Sequence, residues 1–464
     1  MLCVVAVLLF SAAANATTAC PSNAVCVDAL ATGGSGTSAS PWTGWETAVN
    51  ALAASTHVHF PAGYYSQSTK ITMKKGWLVD GDGGFRDSAT STGNSYIVSS
   101  FTGTAFYFTG TGNGDAGGIR IAHLAIVNTN SSNDGSAIIT RLTAIVHISN
   151  VWIEGFRFGY TNLGTTSWSV ENSMFEYQSR IGIWNSNGAD YKSPYAGEDY
   201  SGTSYSYQND NASILNCTFN HNASQTSPIA AVVLESTYAN TIDYCKFNGA
   251  NHAIWITASN NMRISGSTFE AQTSQMINLR QSRLLSGASS GYSGGVVISN
   301  NLGTVANAGV HFVCQDQQAD LTMLDNSYSD STGISMIHQL SGTLSTLNSF
   351  GNSYSSGGLY DGTPVNGISS DLTSQPLVTL TGTLNIQTGL FQPARMGTKT
   401  LSGGSGTVSN SSVTTKTRVF YVRKTTGGTV GEMSYTTTAG SGFTLTSTSG
   451  SDTSTFDWWL VEGP

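Results

Sequence analysis

The residues able to do chemistry fall into two columns of a repeating chain. Glu154 and Glu176 each follow a large apolar residue by one position and stand 22 residues apart. Stacked on adjacent turns they would lie about 5 Å from one another. That separation suits a retaining glycosidase, where one carboxyl is the acid and the other the nucleophile. Glu270 holds the same place in its own repeat. Arg157 and Arg180 are close enough in sequence to neutralise a pair that is merely solvated. The second column lies in the segments RIGIWN, AAVVLES, HAIWITAS, QMINLRQ and GVHFVCQ. With Ile254 and Ile256 inward, alternation turns Trp255 and Thr257 outward. The same parity turns Glu235, Asn278, Arg280 and His311 outward, and Trp184 faces out as well. Glu235 and Arg280, two repeats apart, are expected about 10 Å from each other, room for one ring-sized ligand unit rather than a salt bridge. Glu235, Glu154 and Glu176 are the candidate acids and bases, and Arg280 and His311 a candidate proton-abstracting set. Trp184 and Trp255 offer flat stacking faces. Each has a plain alternative: tryptophans packed under a loop, a salt-bridged arginine, a turn carboxylate, an isolated histidine.

Two loops break the period beside this column. Residues 186–211 leave just after Trp184 and combine many tyrosines, Tyr195 among them, with Asp190, Glu198 and Asp199. Residues 282–295 carry Arg283 and Tyr292. Long loops in compact domains are usually functional or unstructured. Tyrosines among acids suit a carbohydrate surface, because rings stack on sugar faces and carboxylates bind hydroxyls. The same acids suit Ca2+, the one cofactor the sequence suggests.

These residues need a scaffold, and the repeat supplies it. An aliphatic residue is followed five positions later by an aromatic or aliphatic one: Ile148…Ile153, Val170…Phe175, Ile214…Phe219, Ile242…Phe247, Ile264…Phe269, Val297…Leu302 and Met323…Tyr328. The second members lie 22, 44, 28, 22, 33 and 26 residues apart, so the unit is about 22 residues with insertions. Asn150, Asn172 and Asn216 sit three before the anchor, at corners that need a left-handed backbone. A third alternating segment completes each unit. Three short strands per turn predict an all-β fold, a single-stranded parallel β-helix. Cys217 and Cys245, each two before its anchor, are expected to stack inside as buried thiols.

Composition narrows the partners. The chain has 464 residues, only 10% of them charged, 52 glycines and a net charge of −8. With no run of Lys or Arg, nucleic acid and acidic membrane are excluded as partners. Local arginines still admit a uronate polymer. Residues 1–16 (MLCVVAVLLFSAAANA) read as a secretion signal, ending in a small-residue cleavage pattern but lacking a basic start. No later stretch is apolar enough to span a bilayer. Cys20 and Cys26 suit a small disulfide loop in an oxidising compartment. With scattered histidines and no Cys-x-x-Cys, no metal-ligand set is expected.

Residues 43–54 read as a short amphipathic helix with Trp45, Val49 and Leu52 on one face, a cap for the first rung. HVHFPAGYY then turns into the first strands, followed by a strand and Gly-x-Gly. A capping helix and an apolar-x-Phe-Pro-x-Gly-x-Tyr stretch resemble the start of the pectate lyase superfamily β-helix. The resemblance covers roughly residues 25–360 and implies a right-handed helix and a polysaccharide as partner. The Asn-Thr-Asp, Gly-Asp-Asp and Gly-His-Gly motifs of its polygalacturonase-like members are absent, so no catalytic residue carries over. The cap and opening rungs span 17–118, the β-helix core 119–360 and a linker 361–376.

Residues 377–464 alternate as strands (TRVFYVRK, VGEMSYTTT, GFTLTSTS, TFDWWLVEG) and predict a C-terminal β-sandwich. Its final 60 or so residues resemble a module found behind β-helices of phage and prophage tail proteins. That resemblance implies a virion or prophage origin, a homotrimer and a tailspike-like depolymerase, whereas residues 1–16 point to secretion. Hydrolysis through the carboxylates and elimination through Arg280 or His311 both stay open. So does a fibre that only binds glycans.

Overall fold

The computed structural model describes residues 20–84, 93–110, 116–132, 135–186, 209–221, 230–284, 291, 293–304, 309–316, 320–329, 333–340, 346–354, 359–361, 368–370 and 395–462. The chain divides into two compact units, Met1–Val378 and Thr379–Pro464.

The first unit is a parallel β-helix. Among the described residues its strands form three long parallel sheets of 13, 11 and 11 strands, each strand pairing with its counterpart one turn later, and a two-stranded parallel sheet, Asn209–Asp210 with Thr237–Tyr238. The first sheet begins with Val25–Cys26, and one full turn then runs through His57–Phe60 in the first sheet, Gly63–Gln67 in the second and Ile71–Thr72 in the third. The anchors point inward in register: Val170, Ile214, Ile242 and Ile264 along the first sheet, and Phe175, Phe219, Phe247 and Phe269 along the second. The four phenyl rings stack at 5.1, 5.0 and 5.0 Å, which burial and ring offset both favour. Asn150, Asn172 and Asn216 turn the corner between those sheets at φ of 54°, 48° and 50°, the left-handed region that asparagine tolerates. The thiols of Cys217 and Cys245 are buried and donate to backbone carbonyls there. Cys20 and Cys26 form a disulfide.

Two expectations need correction. The repeat at Val297…Leu302 is Ile298…Gly303, one residue on: Ile264 pairs with Ile298 and Phe269 with Gly303, and Leu302 is exposed. A Cβ on Gly303 would lie 2.7 Å from Phe312 and 2.8 Å from Met276. Phe312 fills that place in the aromatic column, meeting Phe269 edge-on at 5.6 Å. The cap helix is shorter than 43–54, running Glu46–Ala51. Trp45 anchors it, buried against Phe60 at 5.3 Å with its indole N–H on the Ser66 carbonyl. Leu52 is extended and ends the helix.

The second unit is antiparallel. Met396–Thr400 and Thr417–Thr425 flank Thr455–Glu462, while Ser405–Ser409 and Met433–Thr438 flank Gly442–Ser447. Val419, Phe443, Leu445, Phe456, Trp458 and Leu460 form its core. The neighbouring Trp459 alternates outward and stacks on Phe420 at 6.2 Å.

Candidate functional site

The outward face of the third sheet is set by strands Ile181–Ser186, Ala230–Glu235, His252–Thr257, Gln275–Arg280, Val313–Gln315 and Ile337–Gln339. Pairing aligns Trp184, Val233, Trp255, Asn278, Cys314 and His338 in one row. Glu235, Thr257 and Arg280 align in the next. Two consecutive inward residues, such as Ala253 and Ile254, interrupt the alternation, so His252 joins Trp255 and Thr257 outside.

Outward does not mean exposed on the N-terminal half of this face. Trp184 and Glu235 have no exposed surface and Trp255 has 7%. The two tryptophans pack with Phe158, Ile181, Val233 and Leu284 in an apolar cluster separate from the main core. The cover is the segment that follows Arg280. The Ser282 carbonyl accepts from the Trp255 indole at 3.2 Å and from Thr257 at 3.1 Å. Leu284 donates its N–H to Glu235 Oε1 at 3.4 Å, and the Trp184 indole donates to Glu235 Oε2 at 3.2 Å. Arg283, in this segment, is also buried. Trp184, Trp255, Glu235, Asn278 and His311 thus stand on the outward face with at most 9% exposure each, so the two tryptophans offer no open stacking face.

Polar and ionisable groups gather on the other half. The Arg280 side chain, a quarter exposed, donates from Nε to Asp316 Oδ2 at 3.0 Å. Its guanidinium lies 5.1 Å from the Trp255 ring. Asp316 also accepts from the Gln281 N–H at 3.2 Å, which fixes the carboxylate beside Arg280. His311 and His338 stack with ring centroids 4.4 Å apart. His311 Nδ1 is 2.7 Å from the Ser335 carbonyl. A carbonyl only accepts, so Nδ1 carries the proton and the basic lone pair of the neutral ring is on Nε2. Asn278 donates to His252 Nδ1 at 3.0 Å, and burial, then the Arg280 charge, push the His252 pKa down to about 4.

Among the described residues, the carboxylates do not assemble a glycosidase pair on this face. Glu235 and Asp316 are three strands apart, about 14 Å by strand spacing, beyond the 5–9.5 Å that such pairs use. Glu154 and Glu176 do pair on adjacent strands, but on the second sheet. There Glu176 is 3% exposed and accepts from the Trp152 indole at 2.9 Å and from Asn220 at 3.0 Å. Asp190, Tyr195, Glu198 and Asp199 lie outside the described residues. Sequence reasoning missed His338, Asp316 and His252. The alternation of ISMIHQ carries the signal for His338, while the link from Arg280 to Asp316 spans 36 positions and needs the register.

Residues 393–461 match the family model described as K1 capsule-specific polysaccharide lyase, C-terminal domain. No curated protein matches the sequence. Among solved structures, the surface adhesin PfbA of Streptococcus pneumoniae is similar with a TM-score of 0.52 and 14% identity, over 75% of this chain and 89% of that one. DFA-IIIase from Arthrobacter chlorophenolicus A6, solved in complex with GF2, is similar with a TM-score of 0.51 and 10% identity, over 68% and 83%. Tailspike protein 3 of bacteriophage CBA120 has a TM-score of 0.43 and 13% identity, over 76% and 60%. At these identities, the likeness of the first two shows the fold alone.

Proposed function

We propose that this protein binds an acidic extracellular polysaccharide along the outward face of its third sheet and cleaves it by β-elimination. The observation that carries the reading is a partly exposed guanidinium and a histidine with a fixed tautomer on one face, with the register setting His311 opposite Gln275, five residues before Arg280, so that a bound sugar would lie between the two side chains. Arg280 would pair with the uronate carboxylate, held in place by Asp316. Neutralising that charge acidifies the adjacent carbon-bound proton. His311, with its lone pair on Nε2, is the base, and its ring position is fixed by Ser335 and by the stack on His338. Loss of the glycosidic oxygen from the neighbouring carbon then leaves an unsaturated ring. The net charge of −8 opposes a polyanion at long range, so binding rests on these local cations.

The described carboxylates of this face favour elimination over hydrolysis, being hydrogen-bonded and too far apart for a pair. The family model matching residues 393–461, named for a capsule-specific polysaccharide lyase, supports the same class. A secreted or virion-surface, homotrimeric protein is part of the proposal. Incubation with a panel of capsular, plant and algal polysaccharides tests it. Ultraviolet-absorbing unsaturated ends on an acidic polymer support elimination. New reducing ends without absorbance indicate a hydrolase, and binding without either an adhesin.

A further inference from the structure

The outward face of the first sheet carries a cluster that this reading does not use. Val58 and Phe60 of the strand His57–Phe60 are buried inward, so His57 and His59 alternate outward. Pairing with the next strand, Leu78–Gly81, sets Asp80 beside His59. Three atoms converge there. His57 Nε2 lies 2.8 Å and His59 Nδ1 2.7 Å from the same carboxylate oxygen, Asp80 Oδ1. The donor atoms of the three residues all lie within 4.8 Å of one another. The second nitrogen of His59, Nε2, faces Asp82 Oδ1 at 3.3 Å. Asp82 is itself fixed by the Ala62 N–H, which donates to Oδ2 at 2.8 Å.

We propose that His57, His59 and Asp80 form a binding site for a divalent transition-metal ion of the Zn2+ type, with Asp82 orienting His59. Two imidazoles and one carboxylate suit zinc-like ions, whereas Ca2+ and Mg2+ take oxygen ligands. A ligating imidazole commonly gives its other N–H to a carboxylate, and Asp82 stands in that place. The required movement is small. Bonds of about 2.0–2.1 Å in a tetrahedron put donor atoms roughly 3.3 Å apart. Ring and carboxylate rotations of about 1.5 Å or less reach this from the present spread, with the two strands unmoved. The side chains are mostly shielded, at 13%, 6% and 21% exposure for His57, His59 and Asp80. An ion here ties the strand His57–Phe60 to the next turn, so its binding energy adds to the stability of these early rungs. Three protein ligands leave a fourth position for water or an external donor.

Metal-stripped full-length protein is titrated with zinc chloride by calorimetry, and thermal unfolding is followed with and without Zn2+. One Zn2+ per chain and a Tm that rises with its concentration are expected. Affinity falls roughly 100-fold or more in H57Q and about 10–100-fold in D82N, the cost of losing an outer carboxylate. Circular dichroism checks that H57Q is folded, and D80N serves as the ligand variant where it is not. Wild-type protein that binds no Zn2+, or variants that bind it as tightly as wild type, would overturn the proposal and leave an ion-paired network of His57, His59, Asp80 and Asp82.

Discussion

Trp184 donates its indole N–H to Glu235 across 3.2 Å, and neither side chain has any exposed surface although both stand on the outward face of their sheet. The pair therefore serves to dock residues 282–284, whose Leu284 N–H also reaches Glu235. Glu235→Leu removes the acceptor from buried donors, and a loss of about 1–3 kcal/mol is expected from the urea midpoint. Glu235→Gln should stay folded and keep its cleavage. A folded E235Q protein that cleaves nothing would make Glu235 the catalytic acid instead.

The phenyl column gives a sharper stability test. Phe219 stacks between Phe175 and Phe247. Phe219→Ala should cost about 3–5 kcal/mol through lost burial and a cavity. Phe219→Asp adds an unpaired buried charge and should leave the solenoid unfolded by circular dichroism. A melting temperature unchanged in F219D would contradict the register described.

Most of this frame was legible from the spacing of Ile and Phe with asparagine at the corners, because each rung must bury the same positions. The reading slipped at Val297…Leu302, where the inward place belongs to Gly303 and the ring that fills it is Phe312. No local pattern shows that one segment supplies another's side chain. The site was half legible. Alternation identified the outward side chains, but the cover over Trp184 and Glu235 comes from residues 282–284, with Leu284 49 positions from Glu235. The partner of Arg280 sits across inserted chain at Asp316. His57 and His59 were read only as part of a strand, since their chemistry depends on Asp80 one turn later.

Acid should weaken the fold through His252. Its folded pKa, pushed down to about 4 by burial and then by Arg280, lies below the ordinary 6.5. Between those values the unfolded chain takes up a proton that the folded one refuses. Stability is thus complete above pH 6.5 and is lost as pH falls toward 4, by about 3 kcal/mol for this group. His221, also pushed down to about 4 by burial, acts in the same direction. Chemical unfolding of wild type and His252→Asn at pH 7 and pH 4.5 measures the difference, and the variant should lose less. Equal losses would place the acid sensitivity elsewhere.

Trp459 and Phe420 form an exposed aromatic pair on the second unit, at 37% and 46% exposure. A trimer contact there would bury both rings and raise avidity for a repeating polymer. Light scattering of the full-length protein should show a trimer, and Trp459→Ser with Phe420→Ser should shift it to monomer. A wild-type monomer at micromolar concentration would remove this contact from the account.

In the proposed reaction Arg280 meets the polymer's carboxylate on the third sheet. The most direct test of this contact is the initial rate of unsaturated product formation by wild type and Arg280→Gln, on the acidic polysaccharide that the wild type cleaves, with Tm confirming that both are folded. Loss of one charge-stabilising group should lower kcat about 100-fold or more. A folded R280Q protein that forms unsaturated product at the wild-type rate would show that Arg280 does not neutralise the substrate carboxylate.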